Sequence, residues 1–94
     1  MNDLILKWAD ERGLLKAENA PKQMLKLIEE VGELAGAMAK NKPNEMIDAI
    51  GDIQIVLIIL SKQLGFDYNT CLFLAHEEIK NRKGKTINGV FVKD

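Results

Sequence analysis

Residues 44–64 contain no turn signal, and this unbroken stretch restricts the fold more than any other feature of the sequence. The run at residues 53–60 is apolar and rich in β-branched side chains, which would also suit a strand. We predict a helix instead, opened by Pro43 and ending near Leu64, because nothing interrupts the stretch and Gly65 is a suitable C-terminal stop. A helix that is apolar nearly all round is expected to lie at the centre of the fold.

Three further helices are predicted from apolar residues at helical spacing. Their predicted extents are residues 3–12, 21–41 and 68–82. Pro21 suits the first turn of the second helix, and Asp67 is a fair N-cap for the fourth. We expect the fourth helix to turn four side chains inward, those of Leu72, Leu74, Ala75 and Ile79. Asn88-Gly89 is a turn signal, so the tail is predicted to form a small hairpin or an extended arm.

Four helices with short connections predict an all-α fold, an antiparallel four-helix bundle with a short C-terminal arm. The length of 94 residues indicates a single domain, residues 1–94, with a marginal core. With one Trp, one Tyr and three Phe, the core must be mainly aliphatic. A small helical protein with so thin a core often completes it by forming an oligomer.

Charge, apolar runs and cysteine content exclude several classes of protein. The net charge of −1 gives no reason to expect nucleic-acid binding. The longest apolar run, Ile55–Leu60, is far too short to span a bilayer, so no membrane association is predicted. The single Cys71 is expected to be a small core residue and suits a reducing compartment. We therefore expect a soluble, cytoplasmic protein.

Five carboxylates lie in two short clusters within the most apolar part of the chain. They are Glu29, Glu30, Glu33, Asp48 and Asp52. An ionised carboxylate in apolar surroundings is costly, so such groups are normally paired, protonated or bound to a metal. Zinc would require His or Cys, and the chain has one of each, whereas oxygen donors suit Mg²⁺ or Mn²⁺. The two clusters therefore predict a divalent-metal site built on helices.

The two clusters support this prediction unequally. The glutamates of the second helix lie largely opposite an apolar stripe centred on Val31, which by itself predicts a solvated face unless a partner chain buries it. On the third helix, Asp48 and Asp52 are i, i+4 neighbours. An exposed helix start would explain Asp48 through the helix dipole, but Asp52 lies more than two turns in.

The acidic pattern resembles that of a known family. Glu29-Glu30-x-x-Glu33 followed by Gly51-Asp52 is similar to the MazG-like nucleoside triphosphate pyrophosphohydrolases of the all-α NTP pyrophosphatase superfamily. The resemblance covers about residues 4–92 and looks closest to the short phage and Gram-positive members. It implies a helical bundle that forms dimers or tetramers. It also implies Mg²⁺-dependent cleavage of a nucleoside triphosphate between the α- and β-phosphates, giving a nucleoside monophosphate and pyrophosphate.

The resemblance also implies roles for individual residues. The implied catalytic acids are Glu29, Glu30, Glu33 and Asp52. Glu30 and Glu33 match metal ligands, and Asp52 matches the aspartate of an ExxD motif. The glutamate of that motif is expected at position 49, where this sequence has Ala49. Asp48 lies on the same face as Asp52 and could replace the missing glutamate as a ligand. Glu45-x-x-Asp48 also has the ExxD spacing, but with that alignment Gly51-Asp52 no longer matches the family's Gly-Asp.

Seven further residues are candidates for substrate binding. Four of them resemble the family's C-terminal basic segment, which can meet substrate phosphates: Lys80, Asn81, Arg82 and Lys85. Gln23 and Lys26 lie on the glutamate side of the second helix and could line a nucleotide pocket or be solvated. Trp8 could stack on a base or pack the first helix on the bundle.

The sequence also leaves the assembly and the activity open to test. One four-helix layer cannot easily cover both an apolar stripe and an apolar central helix, so a homodimer or a dimer of dimers is predicted. Ala49 keeps a second hypothesis open, a non-catalytic helical module that binds nucleotide or oligomerises. A plain helical interaction protein is the third hypothesis.

Overall fold

The computed structural model describes residues 1–94 and contains four α-helices followed by a two-stranded antiparallel sheet. The helices are α1 (Asn2–Glu11), α2 (Ala20–Ala39), α3 (Pro43–Gln63) and α4 (Tyr68–Ile79), with a 3₁₀ turn at Ala17–Asn19. The strands are β1 (Gly84–Ile87) and β2 (Val90–Lys93). The predicted helical class is confirmed, and so is the choice of helix over strand for residues 53–60.

The helices end where the sequence places residues that tolerate a left-handed backbone. Gly13, Asn41 and Gly65 follow α1, α2 and α3 with φ angles of 69°, 54° and 88°. These are the conformations that glycine and asparagine adopt at low cost. At the start of α4, the Asp67 carboxylate accepts a hydrogen bond from the Thr70 backbone N–H at 2.9 Å, so the predicted N-cap is confirmed.

The C-terminal tail forms the hairpin rather than the extended arm. Asn88 and Gly89 both have positive φ, 52° and 80°, as a type I′ turn requires. The ladder reaches back to Lys83, whose carbonyl accepts a hydrogen bond from the Asp94 N–H at 2.9 Å. Helix α4 ends at Ile79 and not at the predicted residue 82, because the chain turns there: the Arg82 N–H donates to the Ile79 carbonyl oxygen at 2.9 Å.

The core lies where α2 and α1 pack on α3, mainly on the second half of that helix. Its buried apolar residues are Ala9, Ala37, Ala49, Val56, Ile58, Ile59 and Leu60. The predicted central position of the third helix is therefore confirmed for this half, while Ile47 and Ile50 in the first half are exposed. All the buried apolar residues are aliphatic, as the sequence predicts.

The fourth helix does not close a four-helix bundle within the chain. Helix α4 leaves α3 at an angle of 103° and has no buried residue. The prediction that it turns Leu72, Leu74, Ala75 and Ile79 inward is wrong for this chain alone, because these residues are exposed. Cys71 is exposed as well and is not a core residue. Within one chain, α4 therefore adds nothing to the buried core, and the predicted bundle arrangement is not formed.

Helix α2 turns toward α3 a face that carries Glu30, and most of its apolar stripe points away from α3. Glu30 and Ala37 are its buried residues, whereas Ile28 is 57% exposed and Val31 is 50% exposed. The expectation that the glutamates lie on a solvated face is therefore wrong for Glu30. Most of the apolar stripe is left uncovered, whereas its residues Leu27 and Leu34 are half-buried.

The chain exposes more surface than its mass requires. Its accessible surface is 7244 Å², whereas a compact monomer of 10.5 kDa exposes about 5,400 Å². The radius of gyration is 15.9 Å, against about 12.4 Å for a compact chain of 94 residues. No one helix has both the length and the apolar content to cross a membrane; α3 and α4 meet that test only together, as a bent pair.

Candidate active site

Glu30 is the buried carboxylate of the seam between α2 and α3. Only 4% of the residue is exposed, although it is an acid. Its Oε1 lies 3.2 Å from Lys26 Nζ, while its Oε2 is shielded from solvent and has no hydrogen-bond partner. A buried carboxylate oxygen without a partner is costly, so this position calls for a cation or a donor.

Two predicted acids lie close enough to Glu30 to respond to its charge, Glu33 on α2 and Asp52 on α3. Burial raises the pKa of the half-buried Asp52, and the charges of Asp48 and Glu30 raise it further. The charge of Glu30 is the main cause that raises the pKa of the exposed Glu33. Like charges disfavour ionisation of their neighbours, so these shifts are those expected where Glu30 lies near Glu33 and Asp52, and Asp52 near Asp48.

Lys26 forms ion pairs with two of the clustered acids, Glu29 and Glu30. Its Nζ lies between two acids, 3.2 Å from Glu30 and 3.6 Å from Glu29. The hydrogen bond to Glu30, and then the charge of Glu29, raises the pKa of Lys26. The amine therefore partly offsets the charge of the buried carboxylate, while Glu29 itself stays exposed.

The acids are not gathered into a finished metal cage. No group of three or more Asp, Glu, His or Cys side chains is arranged so that it could hold a metal ion. The donor set nevertheless fits a hard cation, because it consists of carboxylates alone. Glu33 and Asp48 are exposed and free to turn toward the unpartnered oxygen of Glu30. The residues thus fit Mg²⁺ in the chemistry of their donor atoms, but their side chains are not arranged around one point.

Two openings lie on either side of Glu30 along the seam. The acidic cavity has a volume of about 580 Å³ and is lined by four acids, Glu29, Glu33, Glu45 and Asp48. Gly32 and Gly36 also line it, and a Cβ at either would meet nothing within 4 Å, so these glycines widen the cavity. Ala49 lines it too, where the family pattern has a glutamate.

The second opening, which we call the groove, has a volume of about 380 Å³ and runs between α1, α2 and α3. Its polar lining residues are Asn19, Lys22, Gln23, Lys26 and Gln63, and Trp8, Leu14, Ile55, Val56 and Ile59 complete it. Gln23 and Lys26, predicted to line a nucleotide pocket, thus line an opening beside the acids. Trp8 also lies there, with the Arg12 guanidinium 4.3 Å from its ring centroid.

The C-terminal basic residues are not brought to the acids within one chain. Lys80 pairs with Glu77 at 2.6 Å and Arg82 with Glu78 at 3.0 Å, both on α4. Asn81 and Lys85 are exposed, and none of the four lines the acidic cavity or the groove. A role for them in phosphate binding remains a prediction that needs a second copy or a movement of α4.

Sequence reasoning missed Gln63 and Lys40. Lys40 follows α2 and lines the acidic cavity. Its spacing could have indicated this, because Lys40 lies four residues after Gly36 and seven after Glu33, on the same side of the helix. Gln63 is 5% exposed and belongs to the wall of the groove. A glutamine that closes a long apolar run could have drawn attention to it, but its burial depends on contacts with residues far away in the sequence.

Replacing Lys26 with methionine should make the stability of the protein depend on metal. The substitution keeps the aliphatic stem but leaves the buried Glu30 carboxylate unpaired. We expect the melting temperature without metal to fall by several degrees and Mg²⁺ to restore most of the loss. Thermal unfolding with EDTA and with Mg²⁺ measures both. Lys7→Met on the exposed face of α1 is the control, and equal behaviour of the two variants would contradict the role assigned to Lys26.

Comparison with known proteins places these features in context. Residues 19–87 match the family described as the MazG nucleotide pyrophosphohydrolase domain, and the match includes both acid clusters. A protein of Haemophilus phage HP1 (strain HP1c1) is 46% identical over 63 residues, which are 67% of this chain and 39% of the phage protein. It is described only as an uncharacterized 18.2 kDa protein in the rep-hol intergenic region. No solved structure matches the chain.

Proposed function

We propose that this chain, which belongs to the MazG nucleotide pyrophosphohydrolase domain family, hydrolyses a nucleoside triphosphate in a Mg²⁺-dependent reaction. Water would cleave the bond between the α- and β-phosphates, releasing a nucleoside monophosphate and pyrophosphate. The observation that carries this proposal is Glu30, a buried acid with an unpartnered oxygen beside Glu33 and Asp52. Such a site gains stability when a cation arrives, and a polyphosphate would bring that cation with it.

In this proposal, four acids would hold the metal: Glu30, Glu33, Asp48 and Asp52. When bound, Mg²⁺ would supply a Lewis acid for the phosphate oxygens and would activate a water. Glu30 and Asp52 are held by the packing of α2 and α3, so they would set the position of the site. Glu33 and Asp48 are exposed and would adjust to the substrate. Mn²⁺ has the same preference for oxygen donors and should substitute.

Two residues beside the ligands would act on the substrate directly. Lys26 would lose its partner Glu30 to the metal, and its ammonium would then be available to a phosphate oxygen. Glu29 lines the acidic cavity with its carboxylate exposed and would orient the attacking water. Both roles follow from the geometry of one turn of α2, since Lys26, Glu29 and Glu30 share one face.

The test of this function is pyrophosphate release from each common NTP and dNTP in the presence of Mg²⁺. We expect turnover of at least one substrate, complete loss of turnover in EDTA, and recovery with Mg²⁺ or Mn²⁺. The nucleoside monophosphate should appear in equal amount, and no free phosphate should form first. Absence of pyrophosphate with every substrate, at enzyme concentrations that reveal slow turnover, would reject the proposal.

One observation favours a second candidate function, a non-catalytic module that binds nucleotide. Ala49 is 3% exposed and lines the acidic cavity where the family pattern places a glutamate, so one acid is missing from the site. Calorimetric titration with nucleotides separates the two candidates. Saturable nucleotide binding that is never followed by Mg²⁺-dependent turnover would favour the binding module over the hydrolase.

We also propose that the chain acts as a homodimer or a dimer of dimers. The exposed surface exceeds that of a compact monomer by about 1,800 Å², and a typical stable interface buries about 800 Å² on each partner. The apolar stripe of α2 is a continuous surface of this kind, with Met24, Ile28, Val31 and Met38 exposed. A two-fold contact through this stripe would cover the outer side of the helix that carries the glutamates.

A further inference from the structure

We propose that the groove binds the base of the nucleotide and that Gln63 selects bases with an amine at the position of adenine N6 or cytosine N4. This inference rests on the proposed function, because it names the substrate class of the same site. Lys26 connects the two parts, since it lines the groove and pairs with Glu29 and Glu30. A base in the groove would therefore leave its phosphates directed toward the acids.

The orientation of the Gln63 amide is set by the chain itself. Its Nε2 donates a hydrogen bond to the Leu14 carbonyl oxygen at 2.6 Å, which ties the end of α3 to the segment after α1. Turning the amide over would place two oxygens against each other, so Nε2 must face Leu14. Gln63 Oε1 is left as an acceptor, shielded from solvent and without a partner. Only a donor that enters beside α3 can satisfy it.

The walls of the groove suit a flat aromatic ring. Ile55, Val56 and Ile59 provide an aliphatic side, and Trp8 provides an indole ring beside it. Arg12 lies over that ring with its guanidinium 4.3 Å from the centroid and donates to the Trp8 carbonyl oxygen at 2.9 Å. Apolar walls with one aromatic side chain and a few fixed polar groups are typical of base-binding sites.

The unpartnered acceptor discriminates between bases by simple hydrogen-bond chemistry. The amines of adenine and cytosine project beyond the ring and present only donors, so they can reach Oε1 without bringing an acceptor close. Guanine, uracil and thymine present a carbonyl at the equivalent position, and the ring N–H of the two pyrimidines lies between two carbonyls. A buried acceptor left unpaired or opposed by another acceptor makes binding unfavourable. The groove should therefore prefer ATP and CTP, or their deoxy forms, over UTP and dTTP.

The test compares ATP with purine riboside triphosphate, which has the same ring and phosphates but lacks the amine. Wild-type protein should prefer ATP by about tenfold to a hundredfold in kcat/KM, the range expected for one buried hydrogen bond. In Gln63→Met, a side chain of the same length without an amide, this ratio should fall toward one. Gln54→Met is the matched control, because Gln54 lies on α3 outside the groove and accepts from the Tyr68 hydroxyl. Its ratio should equal that of the wild type.

Dissociation constants of the two nucleotides, measured alongside, separate failure of this inference from failure of the proposed function. Equal affinity and equal kcat/KM for the two nucleotides in the wild type would overturn the inference while leaving the hydrolase intact. An unchanged preference for ATP in folded Gln63→Met would overturn it as well. Tighter ATP binding without turnover of any substrate would overturn the hydrolase and support the groove as the base site. If circular dichroism shows that Gln63→Met does not fold, the comparison in the wild type decides.

Discussion

Replacing Asp52 with asparagine should strongly reduce pyrophosphate release and should raise the melting temperature of the metal-free protein. The amide keeps the shape of the side chain but removes a charge that the proposed site needs. Loss of one such electrostatic contact costs roughly 3 kcal/mol of transition-state stabilisation, so we expect activity to fall by at least about a hundredfold. Asp10→Asn on the exposed surface of α1 is the control and should leave activity unchanged.

The gain in stability should depend on pH in a defined direction. Burial, with the charges of Asp48 and Glu30, raises the pKa of Asp52 in the folded chain above its ordinary value of about 3.9. Stability from the protonated carboxyl is therefore fully present below pH about 4 and is lost as pH rises through the folded pKa. Asparagine does not titrate, so the variant should exceed the wild type at neutral pH and match it in acid. The measurement is thermal unfolding of both proteins between about pH 3.5 and about pH 8.

Two results would contradict this account of Asp52. Wild-type turnover in Asp52→Asn would show that the aspartate is not a ligand of the proposed metal. A lower melting temperature of the variant at neutral pH, with activity lost, would show that the carboxylate is stabilised by a partner in the metal-free chain. The raised pKa of Asp52 argues against such a partner.

A glutamate in place of Ile28 should convert the proposed dimer into monomers. Ile28 belongs to the exposed apolar stripe of α2, and a two-fold contact would bring two such glutamates into one apolar interface. Burying an unpaired charge costs several kcal/mol, so the dissociation constant should rise by at least about a thousandfold. Sedimentation equilibrium at micromolar protein should give about twice 10.5 kDa for the wild type and 10.5 kDa for Ile28→Glu.

The matched control for this prediction is Ile28→Leu, which keeps the apolar surface and should remain dimeric. If the active form is the dimer, Ile28→Glu should also lose activity, although the residue lies on the face opposite the acids. A wild-type mass of 10.5 kDa with full activity at that concentration would reject the proposed assembly.

Much of the local structure follows from short-range signals in the sequence. Gly13, Asn41 and Gly65 end their helices because a left-handed residue stops the hydrogen-bond pattern wherever the helix packs. Asp67 caps α4 through a residue three positions away, and Asn88-Gly89 closes a hairpin between adjacent strands. The acid clusters belong to the same category, since i, i+3 and i, i+4 spacing brings carboxylates together on any helix. These features need no knowledge of the rest of the chain.

The faces that meet are decided only by the tertiary structure. Periodicity shows that α2 has an acidic side and an apolar side, but not which side finds α3; packing buries Glu30 and leaves Ile28 exposed. The direction of α4, at 103° to α3, depends equally on what remains to be covered. Gln63 donates to Leu14, a residue 49 positions away, so its buried oxygen has no local signature. Contacts between distant residues reflect competition among several apolar surfaces, whereas helix ends reflect the conformational preference of one or two residues.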